Sequence, residues 1–354
     1  MKRRDFLLHA SATVGMAMGL QNLGAYAQGG REVVFNGAGG IWQDNARNAW
    51  LSPFSQETGI GVIDTFPFDV GKLSTMVRTG TVQWDVTDIP GEFLGLAAER
   101  GLLEPIDYDI VDRHVLPSED YGQYHVVYGH FSTNIVFNKQ RLTGTERPEN
   151  WSDYWDLQKF PGPRSFRRNP AVALEAGLLA DGVASEKLYP LDVDRAFRKL
   201  DEIKTQVRWW TSAVQSVQLI ADGEVNLGVT FNSRAIVARD QGVPLEVVWN
   251  QGLLAAVYLA VPKGAKNKEG AMRLINYIVQ ADAQARMANL NRSAPANLNA
   301  MAKIEPAILK DLPTAPENSH GAARIDELGF WAQNRAKSRR RGQLIPRFLV
   351  HLPL

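Results

Sequence analysis

The sequence predicts an α/β protein built on parallel, doubly wound sheets. Short β-branched runs alternate with segments whose apolar residues recur at helical spacing. The first unit is a strand at 32–36, a glycine turn at 37–40, a helix at 43–55 and a strand at 58–63, an order that favours a parallel sheet. The chain has 354 residues, of which 45% are apolar, and this is enough for about two domains.

The same patterns predict the other elements. We expect helices at 72–79, 171–180, 193–203, 233–239 and 267–279, and strands at 84–89, 124–128, 134–138, 206–210, 225–231, 245–249 and 253–261. The segments 130–133 and 160–170 are predicted to be loops.

Composition narrows the classes of function. The formal net charge is +1, from 39 basic and 38 acidic residues, which argues against nucleic acid as the partner. The absence of cysteine excludes disulfides, thiol nucleophiles and thiolate metal sites. His125 and His130 are the only close pair of histidines, and no third ligand is evident beside them. We therefore expect neither a metal nor a cofactor.

The N-terminus has the pattern of an export signal. Arg3 and Arg4 precede a moderately apolar run at 10–23, and Ala25 and Ala27 flank a small-x-small cleavage site. The paired arginines resemble a twin-arginine signal. A retained membrane anchor is the alternative, but the apolar run is short and ends in polar residues. We expect cleavage after residue 27 and a soluble protein in a bacterial periplasm.

Catalytic motifs have little support. A serine-hydrolase elbow, G-x-S-x-G, is absent. The glycine turn at 37–40 could suggest a dinucleotide site, but Trp42 stands where the third glycine of the fingerprint belongs. His130 could act as a base in a periplasmic enzyme, although a structural role fits it better. We expect a protein that is not an enzyme.

The stretch 223–239 is the strongest candidate for a binding site. A strand at 225–231 runs into a helix whose first free amides would be capped by Asn232 or Ser233. A helix that opens at a strand end attracts anions, and Arg234 would add a positive charge. The alternative is an ordinary helix cap with a solvated arginine.

Polar and aromatic side chains follow several predicted strands. The five loops lie near Gly39, Pro90, Ser132, Ser212 and Asn232. In a doubly wound sheet, such loops converge on one edge. Their mixture of aromatic, hydroxyl, amide and arginine side chains suits a small ligand with an anionic group. Each aromatic side chain taken alone fits the core better than a cleft, so the prediction rests on their shared position just after strands.

The sequence closely resembles the spermidine/putrescine-type substrate-binding proteins of ABC importers, which are family 1 extracellular solute-binding proteins. The matching segments are 40–42, 53–54, 57–59, 84–85, 101–107, 150–155, 223–239, 244–249 and 261–276. The resemblance implies a periplasmic binding protein fold, type II-like, with two doubly wound lobes joined by a hinge. It also implies that the lobes close around a ligand and that the protein then docks on an inner-membrane permease with its ATPase.

We place lobe 1 at 28–136 plus 260–325 and lobe 2 at 137–259 plus 326–354, and expect a monomer. The ligand-binding residues that we predict come from the loops and from the resemblance. They are Gly40, Trp42, Gly91, Glu92, Ser132, Arg168, Asn169, Trp210, Ser212, Gln215, Phe231, Asn232, Arg234 and Tyr258.

The departures from the family pattern concern charge. Polyamine binders carry acidic residues where this chain has 168–172 and 255–258, and those acids are missing here. Arg167 and Arg168 stand nearby, so Coulomb's law favours an anionic or zwitterionic ligand over a dication.

The segments 209–215 and 231–234 are similar to those of relatives that bind γ-aminobutyrate-like amino acids. Under this hypothesis Arg234 or Arg168 holds a carboxylate, while Trp42, Trp210 and Glu92 hold the rest of the ligand. The alternative is a polyamine binder whose acids come from Glu92 or Asp88.

Overall fold

The computed structural model describes residues 32–142 and 144–334. The predicted signal peptide and the residues after 334 lie outside this range. Within it, no helix combines the length and the apolar character needed to cross a bilayer.

Strands and helices alternate as the sequence predicts. The strands are β1 (Glu32–Asn36), β2 (Gly61–Thr65), β3 (Val86–Ile89), β4 (Leu103–Glu104), β5 (Tyr121–Gly122), β6 (His125–Asn138), β7 (Arg164–Arg167), β8 (Val207–Trp210), β9 (Leu227–Phe231), β10 (Leu245–Pro262), β11 (Ala294–Pro295) and β12 (Ala323–Arg324). The helices are α1 (Gly40–Ala46), α2 (Ser52–Thr58), α3 (Val70–Thr79), α4 (Gly91–Glu99), α5 (Trp151–Trp155), α6 (Pro170–Ala180), α7 (Val193–Asp201), α8 (Ala213–Ala221), α9 (Asn232–Asp240), α10 (Lys268–Ile278), α11 (Ala281–Asn291) and α12 (Pro306–Leu309). Single π-helical turns occupy Arg47–Leu51 and Glu327–Trp331.

The sheet consists of two parallel parts joined by an antiparallel pair. Its main order is β2-β1-β3-β10-β6-β9-β7-β8. β1 is parallel to β2 and β3, and β7 is parallel to β8 and β9. β6 and β10 lie antiparallel between these two parts. The two parallel parts correspond to two doubly wound lobes, and the two central strands run through both.

The sequence analysis was wrong about these central strands. It divided each into two short strands, whereas β6 has 14 residues and β10 has 18. The predicted loop 130–133 lies inside β6, where Ser132 and Thr133 pair with Leu254 and Leu253 of β10. Polar residues suggested a loop there, but neighbouring strands satisfy their backbone groups, so the strand continues. The register shifts between Val248 and Leu253, which marks an irregularity in β10.

The predicted loop 160–170 also contains a strand, β7. Arg164, the first residue of this strand, has a fully buried side chain. The guanidinium donates to the backbone oxygens of Tyr154, Asp156, Phe160 and Gly162, which meets the cost of burying the charge.

Separate apolar cores lie on either side of the central strands. One contains Trp50, Trp84 and the apolar face of α10, and the other contains Trp151, Phe166 and the helix α6, which is buried on nearly all sides. The boundary between the cores falls within β6 and β10. Our lobe boundaries at 136/137 and 259/260 stay a prediction.

Candidate functional site

A pocket lies where the parallel strands β7, β8 and β9 end. Arg167, Trp210 and Phe231 are the last residues of these strands, and all three line the pocket. In open α/β sheets, ligands bind in the crevice beyond the carboxyl ends of the strands. The pocket is lined by Glu92, Phe131, Thr133, Arg167, Asn169, Ala171, Val172, Trp210, Phe231, Ala255, Ile325, Glu327 and Trp331.

One wall of the pocket is aromatic. Trp210 is 1% exposed, and its indole N–H donates to the Val229 backbone oxygen at 3.1 Å. The Phe231 ring packs edge-on against Trp210, at 5.9 Å between centroids, and against Phe131, at 5.4 Å. These contacts fix the rings, so a ligand meets a rigid apolar surface.

A second wall carries Arg167 and Asn169. The Asn169 side chain caps α6 by accepting from the Ala171 N–H at 3.0 Å. Arg167 is exposed, and within 32–142 and 144–334 its guanidinium makes no hydrogen bond or ion pair. Its donors are therefore free for a ligand carboxylate.

A third wall is acidic and is formed by Glu92 and Glu327. Glu92 lies in the first turn of α4. Glu327 accepts from the Ala256 N–H at 3.3 Å and from the Tyr258 hydroxyl at 3.4 Å. Burial raises the pKa of Glu327 to about 8, and the negative charges of Glu92 and Glu175 act in the same direction. A positively charged ligand group would relieve this repulsion.

Glu327 belongs to a stretch that we call the C-terminal segment, residues 325–332. This segment packs closely on α4 through two glycines one turn apart. A Cβ at Gly91 would come within 2.8 Å of Glu327 and 2.7 Å of the Tyr258 ring, and a Cβ at Gly95 would come within 2.6 Å of Ala332. These positions have room only for glycine.

Four of the residues predicted to bind ligand line this pocket: Glu92, Asn169, Trp210 and Phe231. The other ten lie away from its wall: Gly40, Trp42, Gly91, Ser132, Arg168, Ser212, Gln215, Asn232, Arg234 and Tyr258.

Several of these ten have contacts that explain their types. Trp42 packs against Phe35, Trp50 and Tyr128 in the first core. Gly40 begins α1 at the surface, with a φ of 59°. Gly91 begins α4 against Tyr258, whose hydroxyl donates to Glu327.

The polar members of the set mostly serve neighbouring backbone groups. Ser212 caps α8 by accepting from the N–H of Gln215, and the Gln215 side chain accepts from the Thr211 N–H. The Ser132 N–H donates to Asn232 at 3.0 Å.

The expected cap of α9 is wrong. Phe231 is the N-cap, without a side-chain bond, and Asn232 is the first helical residue. Asn232 is fully buried. Its side chain accepts from the Ser132 N–H of β6 and donates to the backbone oxygen of Arg292, so its polar atoms have partners there. Arg234 is half-buried and forms no ion pair with any described residue.

Of the three charged residues that line the pocket, only Glu92 was predicted from the sequence. Arg167 was noted only as a neighbour of Arg168, although its place at the end of β7 follows from the strand that we predicted as a loop. Glu327 and Trp331 lie far from the other pocket residues along the chain, and no local pattern singles them out. The Arg168 side chain is exposed outside the pocket.

His130 lies within β6, and its side chain is buried. It is 5% exposed, and its Nε2 lies 3.3 Å from Oδ1 of the buried Asp120. It is not on the pocket wall. Among the residues that the structure describes, no three His, Asp or Glu side chains are grouped as a metal site requires.

The model of one protein family, described as bacterial extracellular solute-binding protein, matches residues 49–317. The chain belongs to this family. It is a solute-binding subunit of an ABC importer with the type II periplasmic binding fold, as the resemblance implied.

Curated relatives agree with this assignment. The γ-aminobutyric acid-binding protein of Pseudomonas aeruginosa is 31% identical over 303 residues, which is 84% of this chain and 85% of that protein. The spermidine/putrescine-binding periplasmic protein of Salmonella typhimurium is 25% identical over 287 residues, covering 78% of this chain and 82% of the relative. These relatives are solute-binding proteins rather than enzymes.

Solved structures share the fold. The solved structure described as the Atu4243–GABA receptor is 39% identical with a TM-score of 0.83. The match covers 90% of this chain and 97% of that one. An ABC transporter substrate-binding protein from Bradyrhizobium japonicum is 33% identical with a TM-score of 0.85, covering 91% and 99%.

Proposed function

We propose that this solute-binding protein works in the periplasm and binds a small zwitterion of the γ-aminobutyrate type. The observation that carries the proposal is the charge pattern of the pocket, with an unpaired arginine on one wall and two glutamates on another. A ligand with separated carboxylate and ammonium groups matches both signs at once.

Each group of such a ligand has a partner in the pocket. The Arg167 guanidinium binds the carboxylate, since its fork of N–H donors fits a carboxylate in two-point contact. Glu327 and Glu92 bind the ammonium group. Trp210 and Phe231 cover the short aliphatic chain and exclude water, which strengthens both charged contacts. Arg167 thus takes the role that the sequence analysis gave to Arg234 or Arg168.

Binding and closure are linked through the two central strands. Glu92 lies on α4 of the first parallel part, and Arg167 ends β7 of the second. A ligand that contacts both groups stabilises the conformation in which they are close. β6 and β10 run between the two parts, and their register shifts are where we place the hinge.

The family supports a periplasmic location and importer partners, and the N-terminal pattern is typical of an export signal. We propose export by the twin-arginine signal in residues 1–27 and delivery of ligand by a monomer to an inner-membrane permease and its ATPase.

A second candidate ligand is a polyamine, because the pocket holds two carboxylates rather than one. A diamine would place an ammonium group near Glu92 and Glu327. Its second ammonium group would then share the pocket with Arg167, and two positive charges in one small pocket repel each other. The zwitterion is therefore the better fit.

Isothermal titration of the purified mature protein separates the two candidates. We expect γ-aminobutyrate to bind more tightly than putrescine or spermidine. Tight putrescine binding without a response to γ-aminobutyrate would overturn the zwitterion proposal and support the polyamine alternative. Butyrate and butylamine, which each lack one charged group, are the matched controls, and both should bind more weakly than γ-aminobutyrate.

A further inference from the structure

The carboxyl group of Glu175 lies behind the pocket without touching it. Glu175 is on α6 and is fully buried. Its carboxylate accepts three hydrogen bonds, each of 2.7 Å, from the Val172 N–H, the Tyr189 hydroxyl and the Trp331 indole N–H. Such a set of donors is what a buried carboxylate needs.

The first donor belongs to a strained part of the pocket wall. Val172 has φ 78° and ψ −50° within the first turn of α6. This left-handed backbone is rare for a β-branched residue and persists only where the surroundings impose it. At this point the Val172 N–H donates to Glu175 at 2.7 Å, which ties the strained backbone to α6. Ala171 and Val172 both line the pocket, so this bond shapes the wall.

Another donor belongs to the C-terminal segment. Trp331 lies 156 residues from Glu175 along the chain and lines the pocket with Ile325 and Glu327 of the same segment. Tyr189, the remaining donor, packs its ring against Phe330 at 5.7 Å. Glu175 thus fixes the segment on one side, while the glycines of α4 fix it on the other.

We propose that Glu175 is a positioning residue for ligand binding. Its carboxylate joins two walls of the pocket, the backbone at 171–172 and the C-terminal segment, and so holds Glu327 in place for the ligand's ammonium group. The role assigned to Glu327 rests on the proposed function, whereas the joining of the two walls does not.

We call the three contacts through which Glu175 joins the two walls the joint. The chemistry of the joint requires a carboxylate. Both oxygens accept, one from Val172 and the other from Tyr189 and Trp331. Glutamine has the same size, but its amide nitrogen is a donor and cannot accept from these groups. The amide NH2 of Glu175→Gln therefore faces either the Val172 N–H or the Trp331 indole N–H, and in both orientations one contact sets two donors against each other. Glu186→Gln, at an exposed position in the same lobe, is the matched control.

The joint is tested first without any ligand, by hydrogen–deuterium exchange of the ligand-free protein. In Glu175→Gln we expect faster uptake in peptides covering 169–174 and 325–332, with uptake in α3 as in wild type. Glu186→Gln should match wild type throughout. Unchanged uptake at both segments in Glu175→Gln would overturn the proposal. Trp331→Phe, which removes a single donor, supplies the same test for 325–332 if Glu175→Gln does not fold.

The effect on binding is tested by a double-mutant cycle with γ-aminobutyrate as the probe. We expect Glu175→Gln to weaken binding about tenfold, the usual cost of losing a hydrogen bond to a charged group. Trp331→Phe should weaken it less, and the double variant should be no weaker than Glu175→Gln, because both changes break the same contact. Additive losses, or wild-type affinity in Glu175→Gln, would contradict the positioning role.

The two experiments fail separately. If wild-type protein ignores γ-aminobutyrate but exchange rises at both segments in Glu175→Gln, the proposed ligand is wrong and the joint stands. If wild type binds and neither exchange nor affinity changes in the variant, the ligand stands and the positioning role is wrong.

Discussion

Glu175 and Glu327 are carboxyl groups at the same end of the molecule with different surroundings. Glu175 is fully buried and accepts three bonds of 2.7 Å. Glu327 accepts two longer ones, of 3.3 and 3.4 Å, and faces the pocket. Burial raises the pKa of both groups, and the bonds from Tyr189 and Trp331 oppose this rise at Glu175.

The difference separates a structural acid from a binding acid. The protein already supplies three donors to the roughly four acceptor positions of Glu175, so it can join elements but has little left for a ligand. Glu327 keeps acceptor capacity, and burial and its acidic neighbours disfavour its ionised form in the protein alone. An ammonium group supplies the compensation that is missing, which is why we assign ligand binding to Glu327.

The largest effect should come from Glu327→Gln, which removes the charge and keeps the shape. We expect γ-aminobutyrate affinity to fall about 100-fold, because a partly buried charged pair is worth about 3 kcal/mol. The melting temperature should stay equal or rise, since Glu327 must take up a proton on folding at pH 7 and glutamine removes that cost. Titration calorimetry and thermal melts measure the two effects.

Glu317→Gln is the control, an exposed acid nearby in the sequence that does not line the pocket. Wild-type affinity in Glu327→Gln would remove Glu327 from the site.

The next effect concerns the other sign of charge. Arg167→Met keeps the aliphatic stem and should weaken γ-aminobutyrate binding about twentyfold, which is smaller than the Glu327 effect because an exposed arginine is screened by water. Putrescine binding should not weaken. Arg168→Ala and Arg234→Ala serve as controls, and a large loss in either one, with none in Arg167→Met, would return the role to those arginines.

A steric change tests whether the segment that carries Glu327 must pack closely on α4. Gly91→Ala places a Cβ against Glu327 and Tyr258. We expect about a tenfold loss of affinity, since overpacking typically costs about 1–3 kcal/mol. Gly144→Ala adds a methyl group where no atom lies within 4 Å and should leave binding unchanged. Equal affinities for both variants would mean that the segment does not contribute to the site.

The smallest effect is a dependence on pH. Glu327, with its pKa of about 8, is largely protonated at pH 7 in the ligand-free protein, and the ammonium group needs its carboxylate form. Binding should therefore release a proton, and affinity should rise about fivefold from pH 7 to pH 8, as the carboxylate fraction does. Burial is the main cause of this raised pKa, and the charged neighbours Glu92 and Glu175 raise it further. Calorimetry in buffers of different ionisation enthalpy counts the proton, and Glu327→Gln should abolish its release.

Much of the fold could be predicted from the sequence, because the periodicity of apolar residues in helices and strands is a local signal. The strands β7, β8 and β9 end at a common edge for a geometric reason, so Trp210 and Phe231 could be placed there without coordinates. The continuity of β6 could not be predicted, since His130 and Ser132 look like loop residues until neighbouring strands surround them. Glu92 was predicted, but its pairing with Glu327 was missed because nothing in either local pattern indicates the other residue.

The most direct test is a crystal structure of the mature protein grown with γ-aminobutyrate. We expect the ligand's ammonium nitrogen within hydrogen-bonding distance of Glu327 and its carboxylate against Arg167. Its aliphatic chain should lie against Trp210 and Phe231. A ligand bound at Arg234 or Trp42, or one in the reverse orientation in this pocket, would contradict the assignment of its two charged walls.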